Sequence, residues 1–132
     1  MSNIKRSKKI ASLLVVVMVL TLLSATAFAA SYSYTSADYG AKYDSWSPQP
    51  ATLSLGSSGD DVLNLKYLLN AYFDSGLDLN SNYFDTATQN AVKKAQSYSG
   101  TRSLFGNTYT YSSISADGVV GRYTWGKLFL MH

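Results

Sequence analysis

The sequence predicts an all-α domain over residues 52–132: a compact three-helix bundle with short extended turns and one long insertion rich in Tyr and Ser. Three observations support this prediction. Apolar side chains recur at helical spacing in three separate segments, a residue suited to an N-cap stands before each segment, and the breaks between the segments contain glycine.

The first predicted helix covers about residues 61–73 and follows a short strand-like entry at residues 52–55. Ser57 or Ser58 is suited to its N-cap, because a serine hydroxyl accepts a hydrogen bond from the free N–H groups of the first turn. Asp74-Ser75-Gly76 ends the helix. Its apolar face consists of Val62, Leu65, Leu68, Leu69 and Tyr72.

The second predicted helix has Asp85 as its N-cap, covers about residues 86–99 and ends at Gly100. A polar insertion at residues 102–116 follows, in which Tyr109-Thr110-Tyr111 alternates like a strand. A loop of this length in a small domain is either functional or poorly ordered.

The third predicted helix covers about residues 122–130 and has Gly121 as its N-cap. With the cap there, Val120 and Trp125 occupy the N′ and N4 positions, which form a hydrophobic staple. Thr124 falls at N3, from which its hydroxyl can reach back to the cap.

Two segments share one pattern, residues 81–92 and residues 117–128, which stand 36 positions apart. Asn82 takes the place of Gly118 and is expected in the left-handed backbone conformation. The pattern therefore predicts an internal repeat. The superposed pairs are Phe84 with Val120, Asp85 with Gly121, Thr88 with Thr124, and Val92 with Leu128.

Residues 1–29 have the three parts of a secretory signal peptide: four basic residues among the first nine, an uncharged apolar run at Ile10–Leu23, and a small-x-small cleavage site at Ala27-Phe28-Ala29. An uncleaved membrane anchor is the alternative, although the run is shorter than the ~18 residues of most transmembrane helices. We expect a secreted, wall-associated protein.

Residues 30–51 are rich in Tyr and Ser and contain no Leu, Ile or Val. Such a segment buries too little apolar surface to offset its ordering entropy, so a flexible tether is predicted. The alternative is that its aromatic side chains stack on sugar rings or form oxidative cross-links.

Charge and composition exclude several functions. Removing the signal leaves seven Lys and Arg against eight Asp, a net charge of −1, so neither nucleic acid nor a membrane is an expected partner of the mature chain. Catalysis also lacks residues: the chain has no Cys and no Glu, and its one histidine is the last residue. No cofactor and no metal site is predicted.

The folded region resembles the peptidoglycan-binding-like domain family, a three-helix module of bacterial cell-wall hydrolases and related exported proteins. The resemblance covers Leu53 to Phe129 and implies the three-helix fold and wall binding. Where the family often has an aromatic residue before Gln96, this chain has Ala95, and Leu104, Phe105 or a tyrosine of the insertion is expected to fill the gap. The matching residues are 53–62, 65–70, Tyr83-Phe84, Thr88, Ala91-Val92, Gln96, 117–121 and Thr124-Trp125.

The predicted ligand site lies at the N-terminus of the third helix. Arg122 and Tyr123 occupy its first two positions, beside free backbone N–H groups and the turn at Asp117-Gly118, and Tyr98 is expected to face them. A guanidinium beside an aromatic ring suits both the carboxylates of stem peptides and the apolar faces of glycan rings.

These inferences favour an exported, non-catalytic module that binds peptidoglycan, through either the glycan strand or the stem peptide. The alternative is a structural or adaptor protein that uses the same fold to bind a wall hydrolase or a surface protein.

Export is expected to remove Met1 to about Ala29, because signal peptidase cleaves after small residues that follow an apolar run. Mass spectrometry of the protein from culture medium measures the new N-terminus. An intact N-terminus recovered in the membrane fraction would establish the anchor instead.

Overall fold

The computed structural model describes residues 29–132, so the predicted signal peptide lies almost wholly outside the described residues. These residues form four helices and a three-stranded sheet. None of the helices within 29–132 has the length and apolarity needed to span a bilayer. The elements are β1 (Ser31–Tyr34), α1 (Ser36–Asp44), α2 (Asp60–Phe73), α3 (Thr86–Ser97), β2 (Gly100–Leu104), β3 (Asn107–Tyr111) and α4 (Arg122–Met131).

The prediction of an all-α three-helix bundle is therefore wrong: the fold contains both helices and a mixed sheet. Strand order is β1-β3-β2, with β2 and β3 antiparallel and β1 parallel to β3. The insertion at residues 102–116 supplies most of the hairpin. Tyr and Thr alternate in β3 with the two-residue period of a strand, so the tyrosines lie on one face of the sheet and the threonines on the other.

The segment at residues 30–51, predicted to be a flexible tether, is largely folded. β1 pairs along its whole length with β3, and α1 begins after Thr35, whose backbone N–H donates to the Asp38 carboxylate at 2.8 Å. Tyr39 is fully buried, and its hydroxyl donates to the Ser112 carbonyl at 2.8 Å. The prediction failed because the segment buries tyrosine and glycine rather than aliphatic side chains.

Helices α1 and α4 cross at very close range. Both helices have a glycine there: Gly40 lies under the Arg122 guanidinium, and the backbone of Tyr39 lies against Gly126. A methyl group on Gly126 would overlap the Tyr39 carbonyl oxygen. The glycine within α4, which lowers helix propensity, is therefore explained by backbone packing.

The core lies between α2, α3 and α4, and both copies of the predicted repeat contribute to it. The paired residues Phe84 and Val120 are fully buried, and each copy joins the entry segment at residues 53–59 by backbone hydrogen bonds. Leu53 exchanges two such bonds with Val120, at 3.1 and 2.7 Å. Both copies of the repeat therefore form backbone hydrogen bonds with the same entry segment.

Asp85 caps α3 as predicted, accepting hydrogen bonds from the backbone N–H and the hydroxyl of Thr88 at 2.9 and 2.7 Å. Gly121 is likewise the N-cap of α4. The cap of α2 is Gly59 rather than a serine. Asn82 is not left-handed, since Asp74 and Phe105 are the non-glycine residues with positive φ among residues 29–132.

Gly126→Ala is expected to destabilise the protein by roughly 3 kcal/mol, the upper part of the usual range for overpacking, because the new methyl group forces α1 and α4 apart. Urea denaturation measures the loss. The matched control is Gly121→Ala, where an added Cβ meets nothing within 4 Å. Equal stability of the Gly126 variant and the control would contradict the close crossing.

Candidate functional site

An open groove of about 570 Å³ lies between residues 46–50, α2 and α4. We call it the aromatic groove, because aromatic and proline side chains supply much of its surface. Its lining residues are Trp46, Pro48, Gln49, Pro50, Asp61, Asn64, Tyr67, Leu68, Trp125, Phe129 and His132. The sequence did not predict this site, because one of its walls, residues 46–50, belongs to the segment predicted to be a flexible tether.

Three stacked rings form one side of the aromatic groove. The rings of Trp46 and Phe129 are 4.4 Å apart between centroids with planes 26° apart, and those of Phe129 and Trp125 are 5.6 Å apart with planes 23° apart. Trp125 is buried, whereas Trp46 is 42% exposed. The stack therefore runs from the core to the surface and ends in an accessible indole.

The wall formed by residues 46–50 is held at its C-terminal end by three hydrogen bonds. The Tyr43 hydroxyl donates to the Pro50 carbonyl at 3.0 Å, and the Trp125 indole N–H donates to the Ala51 carbonyl at 2.9 Å. The Ala51 N–H in turn donates to the Asp61 carboxylate at 3.0 Å. The groove is thus preformed by contacts among the walls themselves.

Polar side chains stand around these rings. The lining includes the amides of Gln49 and Asn64, the phenol of Tyr67 and the imidazole of His132, whose Nδ1 lies 2.9 Å from the Tyr72 hydroxyl. Aromatic faces bind the apolar faces of a ligand, while amides and hydroxyls bind its polar edges. The groove can therefore hold a flat ligand that has both.

The sequence-predicted site forms a second, smaller recess of about 130 Å³ beside the N-terminus of α4. Three of the five predicted residues line it: Asp117, Arg122 and Tyr123. Gly118 is buried, and its φ of +77° is the left-handed conformation that glycine adopts without strain. Tyr98 does not line the recess.

Arg122 is already paired within the protein. Its guanidinium forms a two-pronged ion pair with Asp44 at the end of α1, and the Nε–Oδ1 distance is 2.9 Å. This hydrogen bonding lowers the pKa of Asp44 and raises the pKa of Arg122. The cation that was expected to bind an anionic ligand therefore holds α1 to the start of α4.

The neighbouring turn is held by one buried glutamine. The side-chain N–H₂ of Gln96 faces Asp117 Oδ1, the Val119 carbonyl and the Thr124 hydroxyl at 2.9 to 3.0 Å, and its oxygen accepts from the Gly118 N–H at 2.9 Å. The Thr124 hydroxyl thus serves this network rather than a capping box. Asp117 and Gly118 have a clear structural role here.

Tyr98 lies instead beside a buried cation, Lys127. The Lys127 ammonium donates to the Tyr98 carbonyl at 2.6 Å and lies 5.8 Å from the centre of the Tyr39 ring. Burial, with a smaller contribution from Arg102, lowers the pKa of Lys127 to about 8. Lys127 lines neither recess and has no carboxylate partner among residues 29–132.

In residues 29–132, no group of three or more His, Cys, Asp or Glu side chains is placed to hold a metal ion. In comparisons with known proteins, no family model, no curated protein and no solved structure matches this chain.

Stability is expected to rise between about pH 8 and pH 10, because the pKa of Lys127 is about 8 in the folded state and 10.5 ordinarily, so the unfolded state binds more protons in that range. Above about pH 10 stability is expected to fall with pH, because burial raises the pKa of Tyr39 from 10.0 to about 12. The folded state then binds more protons than the unfolded state. Urea denaturation at several pH values measures both effects.

Lys127→Met removes the titrating group and keeps most of the side-chain volume, so the rise between about pH 8 and pH 10 should disappear in this variant. The matched control is Lys93→Met, which alters an exposed lysine of α3. An unchanged rise in the Lys127 variant would assign the pH dependence to another group.

Proposed function

We propose that this chain is an exported, non-catalytic module that binds bacterial cell-wall peptidoglycan. The observation that carries the proposal is the aromatic groove, with its exposed Trp46 at the end of a ring stack and amides around it. The signal-peptide pattern and the resemblance to a wall-binding family give the proposal its cellular setting.

The groove is suited to the sugar rings of a glycan strand. Pyranose rings have apolar C–H faces that stack on aromatic side chains, and their hydroxyl and acetamido groups hydrogen-bond to amides such as those of Gln49 and Asn64. The groove volume of about 570 Å³ lies within the range of small-molecule sites, roughly 300–1,000 Å³.

Charge favours the glycan strand over the stem peptide. Among the described residues that line the aromatic groove there is no Lys or Arg, and Asp61 contributes a carboxylate. A peptide carboxylate would contact no Lys or Arg among the lining residues and would be repelled by Asp61; the Lys42 ammonium, outside the lining, lies 6.0 Å from the centre of the Trp46 ring. Arg122, the cation expected from the sequence to receive such a carboxylate, is engaged by Asp44.

Trp46→Ala is expected to weaken binding to purified sacculi at least about tenfold, or ~1.4 kcal/mol, because it removes the accessible face of the ring stack. Co-sedimentation of the secreted chain measures the affinity. Circular dichroism should be unchanged, since Trp46 is 42% exposed. Tyr83→Ala, which removes an exposed aromatic outside both recesses, is the matched control.

A second variant, Tyr123→Ala, tests the recess at the start of α4 without breaking the pair between Arg122 and Asp44. Loss of binding in Tyr123→Ala alone would move the site to that recess. Failure of the unaltered chain to sediment with sacculi would reject peptidoglycan binding and favour the adaptor alternative.

A further inference from the structure

The turn that joins β2 to β3 is formed by Phe105 and Gly106, with φ values of +50° and +80°. Positive φ at both central positions is the signature of a type I′ turn, which favours Asn-Gly. Phenylalanine in the first position is strained, because a side chain with a Cβ resists left-handed geometry. A residue that tolerates positive φ, such as Asn, would therefore make this turn more stable.

The same phenylalanine is almost completely exposed. Phe105 is 93% exposed and the preceding Leu104 is 56% exposed, so neither fills the gap beside Ala95 as the sequence suggested. No residue from 103 to 110 carries a charge. A strained and exposed aromatic side chain at the end of an uncharged hairpin indicates contact with another apolar phase.

Tyrosines stand just behind this tip. Tyr32 and Tyr109 are cross-strand partners with ring centroids 5.2 Å apart, and Tyr32 is 44% exposed. Tyrosine rings prefer the boundary between lipid and water, where the ring is apolar and the hydroxyl is hydrated. The order from the tip inward is thus apolar residues first and interfacial aromatics second.

The N-terminal end of the described chain is fixed at the same place. Ala30 N–H donates to the Asn107 side chain at 3.0 Å, and the Ala30 carbonyl accepts from the Thr108 N–H at 2.9 Å. Six residues, 24–29, lie between Ala30 and Leu23, the last residue of the apolar run that begins at Ile10. The seven steps from Leu23 to Ala30 span at most about 25 Å, so a bilayer that contains the run lies within that distance of Ala30.

We propose that Leu104 and Phe105 insert into the interface of the bilayer that holds the N-terminal apolar run, with Tyr32 and Tyr109 at the level of the lipid headgroups. Two apolar side chains bury less area than a single myristoyl chain, which itself gives only marginal and reversible binding. The contact therefore depends on the covalent link to that run and is released when signal cleavage removes the link. The proposal is independent of what the aromatic groove binds.

The experiment uses the full chain reconstituted in phosphatidylcholine vesicles that contain a doxyl-labelled lipid quencher. The protein has no cysteine, so Ser103→Cys accepts a single environment-sensitive NBD label next to the tip. We expect roughly twofold or greater quenching of this label, as for a group at the membrane interface. The control label is at Ala87→Cys, an exposed position in α3, and should be unquenched.

The decisive variant combines Leu104→Thr and Phe105→Asn with the label at position 103. Asn-Gly is the preferred type I′ sequence, so this variant should raise the thermal midpoint while it abolishes the quenching. Quenching that persists in the variant, or is absent from the parent, would overturn the proposal. A lower thermal midpoint would also overturn it, because Phe105 would then serve the fold.

Discussion

The contact between α1 and α4, with backbone atoms of Tyr39 against Gly126, is the constraint on which the remaining architecture depends. It allows Tyr39 to be fully buried and sets Asp44 against Arg122. The segments on either side of α1 lie against the rest of the domain: β1 pairs with β3, and residues 46–50 lie beside α4. Sheet, ion pair and aromatic groove are therefore consequences of one glycine-mediated helix crossing.

Local signals were sufficient where local chemistry decides the structure. The carboxylate of Asp85 and the backbone freedom of Gly121 identified two helix starts, and the superposed repeat placed Phe84 and Val120 in the core. The prediction that Ser57 or Ser58 caps α2 is wrong, because Gly59 is the N-cap and its φ of +120° provides the turn into the helix. Capping side chains predict a helix start well only when no glycine competes for the position.

The pairing of β1 with β3 could not be predicted from local sequence signals. Thr and Tyr alternate in β3 and Ser and Tyr in β1, but a parallel pair across more than seventy residues leaves no signature in either segment alone. The absence of Leu, Ile and Val from residues 30–51 predicts a flexible tether, but the segment folds because its aromatic rings bury more area per side chain than aliphatic residues do. The aromatic groove was missed for this reason, since Trp46 belongs to that segment.

The crossing of α1 with α4 joins elements from opposite ends of the domain, and this fixes when the fold can close. Residues 39 and 126 have to meet, so a chain that emerges from its N-terminus cannot complete the core until nearly all of it is free. Contacts of such large sequence separation form late, because loop closure precedes any gain from packing. Export as proposed would therefore move the chain across the membrane with its core unformed, and the core would form only after residue 126 had crossed.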